Sequence, residues 1–222
     1  LYAELLPNFS SSYFNIGCDE TMELGLGRSA DLCQKIGKGR VYLNYLLKLN
    51  NETNKHGKIA QFWGDIIVNH PELIPELPKN MIALVWGYDE NFPAGKNLPK
   101  FLDAGLQFYV CPGTSSWNSL IGRNQNGFRN LRNAAIMGKN HNAKGYLNTC
   151  WGDYGHWQPL SISMPAIMLG SAYSWNCNGN SFKNLMFTLN HYVYMDKTKK
   201  TAKAILKLGN AYLKTNIPNG NA

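Results

Sequence analysis

Apolar residues along the chain alternate between short continuous runs and runs with helical spacing. Five short runs predict strands, at 13–17, 58–63, 81–86, 107–111 and 146–150. The third is apolar at nearly every position, as expected of a strand buried on both faces of a parallel sheet. Glycine and proline punctuate the ends of several runs, and Pro112-Gly113 stops the fourth.

Helical segments are predicted around these strands, at 1–6, 98–104, 128–137, 163–175 and 183–214. Another helix follows Gly39 and is predicted to bury one face, formed at 3.6-residue spacing by Val41, Tyr45, Leu46 and Leu49. Strands separated by helices indicate βα units and a parallel sheet, so the predicted fold class is α/β.

Composition indicates a folded chain with a substantial core. Hydrophobic residues make up 44% of the 222 residues and charged residues 16%. The formal net charge is +8, yet no Lys/Arg cluster is dense enough for a nucleic-acid groove, and we interpret Lys197-Thr198-Lys199-Lys200 as a solvated face. No apolar run is long enough to predict a membrane span.

The five cysteines are widely spaced and form no CxxC pair, so neither a zinc knuckle nor a redox pair is indicated. Their usage favours reduced, buried thiols and a reducing compartment such as the cytoplasm. Two sequons, Asn8-Phe9-Ser10 and Asn51-Glu52-Thr53, favour the secretory route weakly. No N-terminal targeting segment is visible, and the compartment stays open.

Two adjacent carboxylates, Asp19 and Glu20, follow the first predicted strand directly. In a parallel α/β barrel, residues just past the carboxyl end of a strand face the active site. Because like charges raise each other's pKa, such a pair can supply one ionised group and one proton donor. For an isolated pair, a solvated acidic turn is the alternative.

Tryptophan and aspartate recur after other strands, in Trp63-Gly64-Asp65, Trp86-Gly87-Tyr88-Asp89 and Trp151-Gly152-Asp153. A single tryptophan is more often a core residue than a ligand contact. Three at strand exits favour a sugar site, because indole faces stack on pyranose rings and can enclose an acetamido methyl group. Asp153 is suited to accept hydrogen bonds from sugar hydroxyls.

At these residues the chain resembles glycoside hydrolase family 20, the β-N-acetylhexosaminidases, over about residues 1–175. Residues 14–20, Phe-Asn-Ile-Gly-Cys-Asp-Glu, are similar to the family signature His-x-Gly-Gly-Asp-Glu. The tryptophans follow in the family's order. Residues 111–118 and 151–157 resemble a bacterial-type branch.

The resemblance implies a (β/α)8 TIM barrel and a retaining mechanism in which the substrate supplies the nucleophile. Glu20 would be the general acid and then the base, and Asp19 would orient the acetamido N–H while the acetamido oxygen forms an oxazolinium intermediate. Substrates would be oligosaccharides or glycoconjugates ending in N-acetylglucosamine or N-acetylgalactosamine. No metal or organic cofactor is required. The implied substrate-binding residues are Trp63, Trp86, Trp117, Trp151 and Asp153.

This chain departs from the family pattern at several positions. Asn15 stands in place of the signature histidine, and Cys18 in place of the second glycine. Trp117 matches the position where the family usually has the tyrosine that bonds the acetamido oxygen, with Tyr109 and Tyr154 as alternatives. Cys150 stands where the similar branch often has aspartate.

The resemblance starts at the family's fourth strand, so we expect an incomplete barrel and part of a longer protein. Residues 1–180 are predicted as the partial catalytic domain, and 181–222 as a helical extension. The missing N-terminal part or a second subunit would supply the other strands. Two further hypotheses are a catalytically impaired carbohydrate-binding fragment and a hydrolase of another kind that uses His156 with Asp153.

Overall fold

The computed structural model describes residues 1–179 and 182–215. The chain is α/β, with a five-stranded parallel sheet whose strands follow one another in sequence order. β1 pairs with β2 and β2 with β3, in the registers Phe14–Ala60 and Phe62–Ala83. This confirms the predicted fold class and parallel sheet. The strands are β1 Tyr13–Asn15, β2 Ile59–Trp63, β3 Ile82–Trp86, β4 Gln107–Cys111 and β5 Gly145–Tyr146.

Helices occupy most of the intervals between strands. The α-helices are α1 Tyr2–Leu5, α2 Ala30–Ile36, α3 Lys38–Lys55, α4 Leu98–Asp103, α5 Asn124–Asn140, α6 Leu160–Trp175, α7 Leu185–Thr188 and α8 Thr201–Leu208. Short 3₁₀ turns lie at Leu6–Asn8, Gly27–Ser29, Ile67–Asn69, Pro71–Glu76, Pro93–Asn97, Asp153–Gly155 and Ala211–Lys214, and a π-helix lies at Leu189–Val193. No helix in the described ranges combines the length and apolar character needed to cross a membrane.

The first and last strands are shorter than predicted. β1 ends at Asn15, although backbone hydrogen bonds to β2 continue for two residues: the Ile16 N–H donates to the Gln61 carbonyl at 2.8 Å, and the Gly17 carbonyl accepts the backbone N–H of Trp63 at 3.0 Å. After β5, a single parallel bridge joins Gly113 to Thr149. The backbone hydrogen bonds there alternate as in a parallel pair: the Thr149 N–H donates to the Pro112 carbonyl at 2.9 Å, and the Thr149 carbonyl accepts the Thr114 N–H at 2.9 Å.

The predicted buried face of α3 is wrong at Tyr45, which is 57% exposed. The helix instead buries Tyr42, Leu43 and Leu46. The Tyr42 hydroxyl donates to the Cys18 carbonyl at 2.9 Å. A buried tyrosine needs such a partner, and this bond supplies it.

The chain divides into two compact units, and unit 1 comprises residues 1–86 and 96–109. Its core combines fully buried residues of β2 and β3 with Leu43 and Leu46 of α3. Phe101 and Phe108 add aromatic volume, with ring centroids 6.3 Å apart. Burying these apolar side chains is the main stabilising term for such a unit.

Unit 2 comprises residues 87–95 and 110–222, of which 180, 181 and 216–222 lie outside the described residues. Helices α5 and α6 pack around Leu131, Leu169 and Tyr173. Leu185 and Leu189 belong to the same cluster, so the described part of the predicted extension completes this core. The segment 183–214, predicted to be helical, contains α7, the π-helix, α8 and the 3₁₀ turn Ala211–Lys214, with a non-helical stretch at residues 194–200.

Candidate active site

The loop after β1 displays the two predicted catalytic acids. Gly17 and Cys18 both have φ of +75° and Glu20 has φ of +46°. Such left-handed conformations suit glycine but cost side-chain-bearing residues on the order of 1–2 kcal/mol each. The side chains of Asp19 and Glu20 are exposed. A strained turn therefore holds both acids beyond the carboxyl end of β1.

Asp65, two residues beyond the end of β2, fixes this turn. Its Oδ2 accepts a hydrogen bond from the Glu20 backbone N–H at 3.0 Å. The Trp86 side chain, at the end of β3, also hydrogen-bonds the Asp65 carboxylate. Charge-assisted bonds of this kind are stronger than neutral ones. The backbone of the proposed acid is thus tied to a third carboxylate that the sequence interpretation quoted but gave no role.

Burial raises the pKa of Asp65 above its ordinary value, and the nearby negative charge of Asp19 adds to the rise. The hydrogen bonds from Glu20 and Trp86 oppose it, because they stabilise the ionised form. The net rise indicates that the effect of desolvation on the pKa of Asp65 is larger than the opposing effect of these hydrogen bonds. Asp65 therefore holds its proton to higher pH than an ordinary aspartate.

Two more hydrogen bonds hold the backbone of this loop. The backbone N–H of Trp63 donates to the Gly17 carbonyl at 3.0 Å, and the Tyr42 hydroxyl donates to the Cys18 carbonyl. Burial, with smaller contributions from Asp19 and Asp65, raises the pKa of the Cys18 thiol to about 11. Cys18 is therefore protonated at neutral pH and is a poor nucleophile there.

The two predicted tryptophans of unit 1 differ in exposure. Trp63 is buried at the end of β2, whereas Trp86 at the end of β3 is half-buried. Unit 1 thus brings Glu20 and Trp86 together through their hydrogen bonds to Asp65, and Asp19 lies near enough for its charge to raise the pKa of Asp65. Of the two indoles, Trp86 has more surface available to a ligand.

Unit 2 contains the other predicted substrate-binding residues. The Trp151 Nε1 donates to the Tyr88 hydroxyl at 2.8 Å, and the Tyr88 ring packs edge-to-face on Trp117, with centroids 5.0 Å apart. Trp117 is only 2% exposed, which leaves little of its ring for a ligand. Trp151 is half-buried, and Asp153 is exposed. Tyr88 therefore connects two predicted residues, although it was not itself predicted.

Asparagines of α5 position the segment that carries Tyr88. The Asn126 Nδ2 donates to the Tyr88 carbonyl at 2.6 Å, and the Asn130 Nδ2 donates to the carbonyls on either side, at 2.9 and 2.7 Å. The Asn130 Oδ1 accepts from the Gly113 N–H at 3.0 Å. The sequence signal for this role was the asparagines of α5, which occupy positions on the face that the apolar spacing of the helix predicts to be buried.

The alternative residues are placed differently. Tyr109 is half-buried within β4, and Tyr154 is 83% exposed. No hydrogen bond or ion pair joins Asp153 to His156 in the part of the chain that the structure describes, so their geometry does not favour the hypothesis of a His–Asp hydrolase. Among those residues, no group of three or more His, Cys, Asp or Glu side chains is arranged to hold a metal ion.

The sequence signal that could have identified Asp65 as a site residue was the recurrence of Trp-Gly-Asp after strands. Asp65 follows Trp63-Gly64 as Asp153 follows Trp151-Gly152, yet only Asp153 was assigned a role. No protein-family model matches this chain, and no curated protein is significantly similar to it. What can be said of its function thus depends on its own motifs and on the geometry of the acid loop.

Proposed function

We propose that this chain is the catalytic region of a β-N-acetylhexosaminidase built on a (β/α)8 TIM barrel. The observation that carries the proposal is the hydrogen bond from the Glu20 backbone to the Asp65 carboxylate, which secures a strained turn with two exposed acids. A strained loop beyond a parallel strand is a common setting for catalytic groups. The parallel strand order is the order that consecutive βα units of a barrel have.

In the proposed mechanism Glu20 protonates the leaving glycosidic oxygen. The acetamido oxygen of the substrate attacks the anomeric carbon, and Asp19 holds the acetamido N–H in the attacking orientation. Water, deprotonated by Glu20, then opens the oxazolinium intermediate with net retention. The protein supplies no nucleophile in this scheme, which agrees with the raised pKa of the Cys18 thiol beside the acids.

The sugar contacts are proposed from the motifs. Trp86 presents the more exposed indole of unit 1, which suits stacking on the acetamido group or the pyranose ring. Trp151 and Asp153 are proposed, from the resemblance, to contact the terminal sugar, whereas Trp63 and Trp117 are buried. The proposed substrate is a glycan that ends in a β-linked N-acetylhexosamine.

The test is hydrolysis of an aryl N-acetyl-β-glucosaminide by the intact protein and by Glu20→Gln. Loss of a general acid–base residue is expected to lower kcat by roughly 10²- to 10⁴-fold. The matched control is Glu23→Gln, which changes an exposed glutamate three residues further on and is expected to keep wild-type activity. Unchanged kcat in Glu20→Gln would remove Glu20 from this role.

A catalytically impaired carbohydrate-binding protein is the second candidate. Two observations favour it: Asn15 uses its side chain in its own turn, and Cys18 occupies a left-handed position that suits glycine. A thiazoline analogue of the oxazolinium intermediate distinguishes the two candidates. Binding together with turnover supports the enzyme, whereas binding without turnover by the intact protein supports the second candidate.

A further inference from the structure

The C-terminal part of unit 2 contains a groove that the proposed activity does not use. We call it the C-terminal groove, and its volume is about 490 Å³. Its apolar lining comes from Met186, Phe187 and Met195, and the last two are 62% and 80% exposed. Small-ligand sites typically have volumes of about 300–1,000 Å³, so this groove has the size of one.

The walls of the groove are held by an internal hydrogen-bond network. The buried Asn190 accepts the Ala202 N–H through its Oδ1 at 3.0 Å and the Asp196 N–H through its carbonyl at 2.9 Å. The π-helix at Leu189–Val193 brings the His191 ring onto the Phe187 ring, with centroids 5.4 Å apart and planes 8° apart. π-Helical turns are often found at functional sites.

The carboxylate of Asp196, beside the groove, is hydrogen-bonded within its own loop. The Asp196 carboxylate accepts hydrogen bonds from the Thr198 hydroxyl and from three backbone N–H groups, of Thr198, Lys200 and Thr201, at 2.7–2.8 Å. These bonds lower the pKa of Asp196. Lys197 and Lys199 also line the groove, and neither is in an ion pair within the described residues.

An apolar floor beside two cations defines the chemistry of a complementary ligand. Exposed methionine and phenylalanine adapt to apolar bodies of varied shape, and they lose unfavourable contact with water when covered. The two ammonium groups require a negative charge at one end of that body. We propose that the C-terminal groove binds a small amphiphilic carboxylate, with its apolar body on Met186, Phe187 and Met195 and its carboxylate at Lys197 and Lys199.

The test uses isotope-labelled methionine methyl groups, because two of the seven methionines line the groove. Hydrocinnamate is titrated into the intact protein, and hydrocinnamyl alcohol serves as the uncharged probe with the same apolar body. We expect saturable shifts confined to the Met186 and Met195 methyl signals, with the acid binding at least about fivefold more tightly than the alcohol.

Variants separate the two parts of the site. Phe187→Ala removes the exposed ring and is expected to weaken hydrocinnamate binding by about tenfold. The double variant Lys197→Ala with Lys199→Ala is expected to abolish the preference for the acid. Lys207→Ala changes another exposed lysine outside the groove and should leave binding unchanged. Phe187→Leu, which keeps apolar volume, should retain most of the affinity.

Three results would overturn the proposal. The first is equal binding of the acid and the alcohol by the wild-type protein, and the second is the absence of saturable shifts at Met186 and Met195. The third is selective broadening of these signals by phosphatidylglycerol vesicles with no binding of hydrocinnamate, which would assign the groove to a lipid surface. None of these readouts depends on glycoside hydrolysis, so the proposal stands or fails separately from the proposed function.

Discussion

The hydrogen bond between the Glu20 N–H and the Asp65 carboxylate gives the sharpest test of how the acid loop works. Two substitutions separate its parts. Asp65→Ala removes the acceptor, whereas Asp65→Asn keeps an oxygen that can accept the same N–H at about the observed 3.0 Å. Both variants keep the Glu20 side chain, and Asp65→Ala also removes the acceptor of the Trp86 side chain.

The size of the effect follows from the bond and from the conformation it supports. A hydrogen bond to a charged group contributes about 1.5–3 kcal/mol. Glu20 has φ of +46°, a conformation that persists only where its surroundings hold it. If the whole contribution is lost at the transition state, kcat falls by roughly 10- to 150-fold in Asp65→Ala. For Asp65→Asn we expect a decrease of less than about fivefold, because the acceptor remains.

The assay is steady-state hydrolysis of an aryl N-acetyl-β-glucosaminide, with kcat and KM determined separately. Because Asp65→Ala also removes the hydrogen-bond acceptor of the Trp86 side chain, which is proposed to stack on the sugar, a rise in KM reports that contact and the fall in kcat reports the position of Glu20. Circular dichroism and melting temperature establish that each variant is folded. Wild-type kcat in a folded Asp65→Ala protein would refute the positioning role. An equal loss in the Ala and Asn variants would refute the acceptor as its basis.

The raised pKa of Asp65 also makes stability depend on pH. The folded state keeps the Asp65 proton at pH values where the unfolded chain has released it, so this group favours folding most at acid pH. Its contribution to stability falls as pH rises through the folded-state pKa. Asp65→Asn removes this titration. In urea unfolding between about pH 3 and 6, the stability of Asp65→Asn relative to wild type should rise with pH; a relative stability that falls would contradict the assignment.

Two further predictions concern a thiol and an amide. The pKa of the Cys18 thiol is raised from 9.0 to about 11. At about pH 8, iodoacetamide should therefore alkylate Cys18 about a hundredfold more slowly than an ordinary thiol, as measured by mass spectrometry. Comparable alkylation rates at Cys18 and the exposed Cys150 would contradict this prediction. Asn130→Ala leaves one N–H and two carbonyls without their partner and should lower the free energy of unfolding by about 3 kcal/mol. The control Asn140→Ala changes an exposed residue and should lower it by less than about 0.5 kcal/mol. Equal urea midpoints for the two variants would refute the role of Asn130 in bracing the loop.

Sequence patterns predicted the central strands well. β2 and β3 begin within one residue of the predicted positions, and β4 has the predicted bounds, because each is a short apolar run with a clear end. The position of Asp19 and Glu20 just beyond the carboxyl end of β1 follows from the same pattern. The α/β class was confirmed, and the glycosidase assignment stays a prediction.

The errors have a common physical origin. In α3, Tyr42 is buried and Tyr45 is exposed, and the hydrogen-bond acceptor of the Tyr42 hydroxyl lies on a loop more than 20 residues away in sequence. Leu185 and Leu189 of the C-terminal segment complete a core around Leu169, which lies in another helix. Local periodicity carries no information about such distant partners.

The sequence by itself determined the α/β class, the central strands and the residue types available for acid–base chemistry and sugar stacking, because these depend on local patterns of polarity. Only the tertiary structure decided that Asp65 holds the backbone of Glu20, that Trp117 is buried against Tyr88, and that the asparagines of α5 brace the loop after β3. Each of these contacts joins residues 29 to 45 positions apart. Burial, hydrogen-bond partners and pKa shifts arise only when folding brings such residues together.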